Sequence, residues 1–385
     1  MSTTAFQSSS NLAIKVWSRK AMSDAVKATL YGTLQGTSDT SIVQVKSELK
    51  KEKGDRVTFG LRSLPTGIGV QDDETLEGNE EGLDFRDFGI NLGEKRHAIK
   101  VDLNLSAQRT MFDVRQEAKD ALQEWLEDYI DTTFFEYLTG FGQGVFNGAV
   151  VSKYHPKGVL GGNALLAPSS DRIIYGGVGV TAPAQLTATD TMSLAVLDKV
   201  AERLKRASPT IRKASYNGKR VWVVIMAPEQ VNDLRSNAGT LQWADIKKAV
   251  LQGGKENAFE GEILGIYREM LLIESVRAPT FYGSSINGVA GAGATGFGAG
   301  GTGPGSAGGA VKAARALVLG AQAAVVAHGN DTDGWGKMKL AERTFDYGKR
   351  YGVGVTMIWG MGKSRFSGQS DFSIFCIDTA AQPHS

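Results

Sequence analysis

Residues 41 to 105 read as β-structure that lacks the means to bury itself. Asp55-Arg-Val-Thr-Phe-Gly-Leu61 alternates at period two, Phe85 to Ile90 gives a second strand-like piece, and Ala98-Ile-Lys-Val-Asp-Leu103 a third. Between the first two lie Pro65-Thr-Gly-Ile-Gly69 and an acidic polar stretch. Two-stranded ribbons are marginal alone, and this excursion has too few apolar residues for its own core, so it has to lie on something else.

Its charges point to what that surface is. Residues 46 to 62 hold six basic side chains (Lys46, Lys50, Lys51, Lys53, Arg56, Arg62) against Glu48, Glu52 and Asp55, a net of +3. Residues 71 to 87 hold eight acidic ones (Asp72, Asp73, Glu74, Glu77, Glu80, Glu81, Asp84, Asp87) against Arg86, a net of −7. Residues 199 to 220 carry Lys199, Arg203, Lys205, Arg206, Arg212, Lys213, Lys219 and Arg220 against Glu202, a net of +7. Two readings stand side by side. Either these are solvated faces of opposite sign, where exposed ion pairs contribute only about 0 to 1 kcal/mol each, or they are complementary surfaces of neighbouring subunits that set encounter and register.

Thr110 to Leu138 is the strongest helix in the sequence. Thr110 and Asp113 form an expected capping pair, Ala118, Leu122, Trp125, Leu126, Tyr129 and Ile130 make a stripe at spacings of three and four, and Gly140 ends it. With Glu117, Lys119, Asp120, Glu124, Glu127 and Asp128 opposite the stripe, the pattern predicts a one-sided brace rather than a buried helix. Downstream, Thr191 to Arg206 is amphipathic, Arg220 to Met226 is a continuous apolar run suited to mid-sheet, and helices are expected around Glu229 to Arg235 and Trp243 to Leu251. Phe259 to Tyr267, Met270 to Glu274, Ala313 to Leu319, Ala321 to Ala327, Leu340 to Tyr347 and Tyr351 to Trp359 complete an α+β pattern.

Composition excludes more than it assigns. Of 385 residues, 43 are Lys or Arg and 41 Asp or Glu, so the net charge of +2 lacks the basic excess of a chain that coats nucleic acid. Cys376 is the one cysteine, which excludes a disulfide framework and multi-thiolate metal sites and suits a cytosolic place of synthesis. His97, His155, His328 and His384 are far apart in sequence and read as scattered surface or interface residues. No apolar run reaches membrane-spanning length, and the first twenty residues do not read as a leader. Neither a cofactor nor a metal is expected.

Glycine is in excess, 48 of 385, and 12 of the 27 residues from Gly283 to Gly309 are Gly. Such a tract buries too little to offset its ordering entropy and reads as a surface loop. Gly362-Lys363-Ser364 has the ending of a phosphate-binding motif, but Met357 stands where the first glycine belongs, so it reads as a turn. No nucleophile elbow, metal cluster or suitably spaced carboxylate pair supports the rival reading of an α+β enzyme.

Taken in order, a polar arm, a long β-excursion, one very long helix, an α+β region and a return to β-structure resemble the major capsid proteins of tailed bacteriophages, the HK97-like fold. Gly54-Asp-Arg-Val-Thr-Phe-Gly-Leu61, Leu76-Glu-Gly-Asn-Glu-Glu81, Phe259-Glu-Gly-Glu-Ile-Leu-Gly-Ile-Tyr267 and Tyr351-Gly-Val-Gly-Val-Thr-Met-Ile-Trp359 look like phrases of one capsid subfamily. The resemblance implies an N-arm over 1–40, an extended E-loop over 41–105 and a P-domain over 106–190 with its spine helix at 110–138. It further implies an A-domain over 191–335 containing the glycine-rich loop, and C-terminal β-segments over 336–385 returning to the P-domain.

It also implies a structural, non-enzymatic protein of the virion, assembled in the bacterial cytoplasm as hexamers and pentamers of itself. Scaffold, portal and decoration proteins are candidate partners, packaged DNA lies on the inner face without sequence specificity, and no membrane is involved. On that reading Lys50, Lys51, Lys53, Asp72, Asp73, Glu74, Glu77, Glu80, Glu81, Arg203, Lys205, Arg206, Arg212 and Lys213 are the candidate inter-subunit contacts. Some family members cross-link a Lys to a distant Asn. Here Lys50, Lys51, Lys53 and Asn79 lie in the right region without a motif that fixes a pair, so non-covalent locking is expected. An encapsulin-like compartment shell and a phage tail tube are the structural alternatives.

Overall fold

The computed structural model describes residues 29–46, 54–62, 69–72, 75–82, 85–102, 113–146, 149–156, 158–182, 185–208, 210–216, 218–237, 263–282, 285–286, 289–290, 311–329, 338–347, 349–366 and 370–381. The expected helix over Trp243 to Leu251, most of the arm and most of the glycine tract lie outside them. A short helix α1 (Leu30–Leu34) precedes the long helix α2 (Val114–Thr139), and α3 (Leu194–Arg206) follows much later.

The long helix starts later than the expected capping pair of Thr110 and Asp113 implied. Asp113 is itself the N-cap, its carboxylate accepting from the Arg115 backbone N–H at 2.9 Å, and Thr110 lies outside the described residues. Its 26 residues span about 39 Å. Gly140 closes it at φ 66°, and a Cβ there would stand 2.1 Å from the Leu166 carbonyl oxygen. The one-sided brace holds only for the first turns, where Ala118, Leu122 and Leu126 face inward. From Tyr129 to Thr139 every residue is buried. Burial on all sides is tolerated because the polar members find partners inside. Asp131 accepts from the backbone N–H groups of Leu30 and Tyr31, and Thr133 and Thr139 donate to the carbonyls of Tyr129 and Phe135. Glu136 accepts from Ser152 Oγ at 2.5 Å and from the backbone N–H groups of Lys153 and Gln143 at 2.7 and 2.8 Å. Burial still raises the pKa of Glu136, against the pull of those donors.

Two sheets meet along this helix. The six-stranded one runs Gln35–Gly36, Val43–Lys46, Ala324–His328, Arg350–Lys363, Met338–Phe345, with Gly93–Asp102 along the other side of Arg350–Lys363. The third strand-like piece of the excursion therefore belongs to the body, because its alternate residues Ile99 and Val101 pack with Ala118, Leu122 and Val353 against α2. The remaining two pieces pair with each other over seven residues, Arg56–Arg62 against Phe85–Asn91. The base of this hairpin rests on the same chain, with Val57, Phe59 and Ile90 on Val325 and Ala327.

The ten-stranded sheet confirms Lys219–Met226 as a middle strand, parallel to Met270–Glu274 and antiparallel to Ala313–Leu319. Its side chains divide by parity. Val223 and Ile225 join the α2 core, and Trp222, Val224 and Met226 join Leu197, Val200 and Leu204 of α3. Residues 228–237 are helical, as expected.

The segment 336–385 is shared between the sheets, since Ile374–Ala380 pairs with Ala313–Leu319 and with Ile173–Tyr175. Beneath that pairing Arg315 and Asp378 form a fully buried bidentate ion pair at 2.7 and 2.6 Å, and the guanidinium also donates to the Thr139 carbonyl at the end of α2. Gly362-Lys363-Ser364 is not a turn. Gly362 and Lys363 end the strand Arg350–Lys363, where Lys363 is buried against Asp371 at 3.0 Å and Ser364 donates to the carbonyls of Gln322 and Ala323. A charged end to an apolar strand looked like a turn because Asp371, its counter-ion, lies outside the motif, eight residues on.

Candidate self-assembly surfaces

The excursion leaves the body at the hairpin and carries its acidic stretch into solvent. Lys50, Lys51, Lys53, Asp73 and Glu74 lie outside the described residues; Asp72, Glu77, Glu80 and Glu81 are exposed. Residues 75–82 are exposed throughout, and they hold a defined turn. Asn79 donates from its backbone to the Leu76 carbonyl at 3.0 Å and from its side chain to the Thr75 carbonyl at 2.9 Å, while Glu80 accepts from the Gly78 backbone N–H. Gly78 sits at φ 93°, which only glycine adopts without strain. Leu76 projects from this turn with 60% of its surface open.

The basic stretch is less free than its charge count implies. Lys213 and Lys205 reach Glu269 at 2.8 and 3.9 Å, Arg206 pairs with Glu202 one turn back, and Arg212 meets Asp39 at 3.4 Å and Gln322 at 2.5 Å. The hydrogen bond from Lys213 holds Glu269 below the ordinary carboxylate pKa. Glu269 and Asp39 come from elsewhere in the sequence, so no window over 199–220 could have counted them. Arg203, by contrast, is exposed on the wall of a cleft of about 810 Å³ between α3 and residues 170–181, with Arg172 at its floor stacked on Phe375.

Three histidines gather where scattered surface or interface positions were expected. His97 stacks on Trp125 at 4.2 Å, Trp125 on Tyr129 at 5.3 Å, and the Tyr129 hydroxyl lies 3.3 Å from His155 Nε2 and accepts from Trp359 Nε1 at 2.9 Å. His328 is buried beside Trp359. Burial, helped by nearby Lys95, pushes His155 down to about 4 and lowers His97. Phe134, Phe135, Tyr137 and Phe141 are buried in the subunit's own core. Among the described residues no group of three His, Cys, Asp or Glu converges to hold a metal.

One further surface lies on the central ribbon. On the face of Gly93–Asp102, Arg350–Lys363 and Met338–Phe345 turned away from α2, register sets Ala98, Gly354 and Ala341 side by side, and Lys100, Gly352 and Arg343 in the next row. The phrase Tyr351-Gly-Val-Gly-Val carried the signal. Its alternation gives one face valines and the other no side chain at all.

A family model described as phage capsid protein matches residues 5–383. The chain belongs to the phage capsid protein family. This capsid protein is 26% identical over 381 residues to the major capsid protein of Pseudomonas phage KPP25, covering 95% of this chain and 94% of that one. Its structure is similar to the capsid of Ralstonia phage GP4, with a TM-score of 0.74 at 28% identity over 92% and 91% of the two chains. The capsid of cyanophage Pam1 shares the fold at a TM-score of 0.63 and 19% identity, over 92% and 93%. The capsid protein thus has the HK97-like fold, and its role is structural.

Proposed function

We propose that copies of this chain assemble as hexamers and pentamers into the icosahedral head shell that encloses phage double-stranded DNA. Assembly takes place in the host cytoplasm, without a reaction catalysed by the subunit. The observation that carries this reading is the hairpin loop: residues 75–82 are ordered into a turn yet fully outside the body that the rest of the chain builds. A limb of this kind contributes nothing to its own subunit's core and gains its stabilisation on a neighbour. Interfaces shared among several partners then reach the roughly 2,000 Å² or more of obligate assemblies.

The working division is an N-arm over 1–40, an E-loop over 41–105, a P-domain over 106–190 built on α2, an A-domain over 191–335, and terminal strands over 336–385. Scaffold, portal and decoration proteins are the further partners, and DNA is held on the inner face without sequence specificity.

Expression of the full chain, followed by sedimentation and negative-stain microscopy, tests the reading. Closed shells are expected, and deletion of residues 71–87 should leave monomers or small oligomers. Normal shells from that deletion would remove the loop from the assembly mechanism. A full-length chain that stays monomeric at every concentration would refute the shell itself, and particles that never package DNA would favour a compartment.

A further inference from the structure

The face of the three-stranded ribbon turned away from α2 has an unusual floor. In one row Ala98, Gly354 and Ala341 stand in register, so nothing larger than a methyl group rises from the strand backbones, and both alanines are exposed. In the next row Lys100 and Arg343 flank Gly352, and both lean on the Phe345 ring at 5.0 and 5.3 Å. Arg96 and Arg350 on the same face already meet Glu94 and Asp102. Lys100 and Arg343 meet no carboxylate among the described residues, so the uncompensated charge of this face sits beside the bare floor.

The chain's own packing gives little reason for glycine at 354. Its φ is not positive, and an added Cβ would meet no atom closer than the Ala98 methyl at 3.2 Å and the His97 carbonyl oxygen at 3.4 Å. Glycine inside a strand weakens it, and its frequent reason is the close approach of something else.

The hairpin turn presents the complementary shape and charge. Leu76 is an exposed apolar side chain followed by Glu77, Glu80 and Glu81, in a stretch of net charge −7 over residues 71–87. We propose that the Ala98–Gly354–Ala341 floor of one subunit receives Leu76 of a second copy, with the carboxylates that follow Leu76 held by Lys100 and Arg343. The contact rests on the shell reading and names the surface on which the limb lands. Leu76 loses its water contact over a floor that leaves room for it, and the two unmatched cations gain counter-ions, which fixes register as well as attraction.

Pairing Leu76→Cys with Gly354→Cys in the full chain tests the contact directly, because the native Cys376 is buried and does not compete. Oxidised shells of the double variant should run as a ladder of linked chains on a non-reducing gel, and neither single variant should. Charge reversal gives an independent readout. Lys100→Glu with Arg343→Glu, or Glu77→Lys with Glu81→Lys, should each lower shell yield by about tenfold or more, and the four together should restore it to within about twofold. Double-cysteine shells without a ladder, or normal yield from both reversals, would overturn the docking while leaving the shell reading intact. Normal yield with lost nucleic acid in the Lys100 and Arg343 variant would overturn it too, assigning the face to phosphates. A wild-type chain that forms no shells overturns the shell reading instead, and the docking with it.

Discussion

Asp378→Asn removes one charge from the buried pair that ties the ten-stranded sheet to the end of α2. In the native subunit both Arg315–Asp378 hydrogen bonds are short, 2.7 and 2.6 Å, and both side chains are out of water. Asparagine keeps the volume but offers one acceptor in place of two and no counter-charge. The buried guanidinium keeps its bond to the Thr139 carbonyl but loses its counter-charge. Breaking one partner of such a pair costs about 3–5 kcal/mol. A chain of 385 residues unfolds with an entropy of about 0.8 kcal/mol/K, so the expected fall in Tm is about 5 °C. Thermal unfolding of dissociated subunits, followed by tryptophan fluorescence, measures it. The double variant Arg315→Met with Asp378→Leu should recover most of the loss, because apolar side chains of similar volume need no counter-ion. An Asp378→Asn subunit melting within about 1 °C of wild type would refute the claim that an uncompensated charge, rather than lost packing, sets the cost.

Two further outcomes follow from the geometry. Burial lowers the folded pKa of His155 to about 4, below the ordinary 6.5, so the unfolded chain binds more protons between those values. Subunit stability should therefore fall as pH drops from about 6.5 towards 4, and His155→Gln should flatten that part of the profile in denaturant titrations at stepped pH. Gly140→Ala places a side chain at φ 66° against the Leu166 carbonyl, and should lower stability by about 2 kcal/mol or more in urea unfolding, whereas an exposed-face change such as Glu124→Ala should not.

Elements whose signal is local were legible in the sequence. The stripe from Ala118 to Ile130 and the terminator Gly140 fixed α2 to within four residues at its start and one at its end. The apolar run to Met226 placed a middle strand correctly, since only a strand with neighbours on both sides buries consecutive apolar residues on both faces. What escaped the reading depends on partners distant in sequence. Asp131, Thr133, Glu136 and Thr139 are polar residues on a helix expected to be a one-sided brace, and nothing near them in sequence announces that Leu30, Tyr31, Ser152 and Lys153 satisfy Asp131 and Glu136 from outside the helix. Lys363 looked like a turn for the same reason. The histidine gathering is invisible locally because His97, Trp125, His155 and Trp359 come from four separate segments that only the fold brings together. The acidic turn was the reverse case. Its exposure was readable, while the surface complementary to it emerges only when three strands are laid in register.

The strand Ile374–Ala380 lies between Ala313–Leu319 and Ile173–Tyr175, the latter about two hundred residues earlier in translation. A ribosome that has released everything up to residue 370 holds a sheet whose slot between those two strands is empty, with Arg315 still waiting for its counter-ion. Folding is thereby timed to the end of this span, and half-made chains, however many of their outer limbs are already displayed, have no finished body to offer a growing lattice.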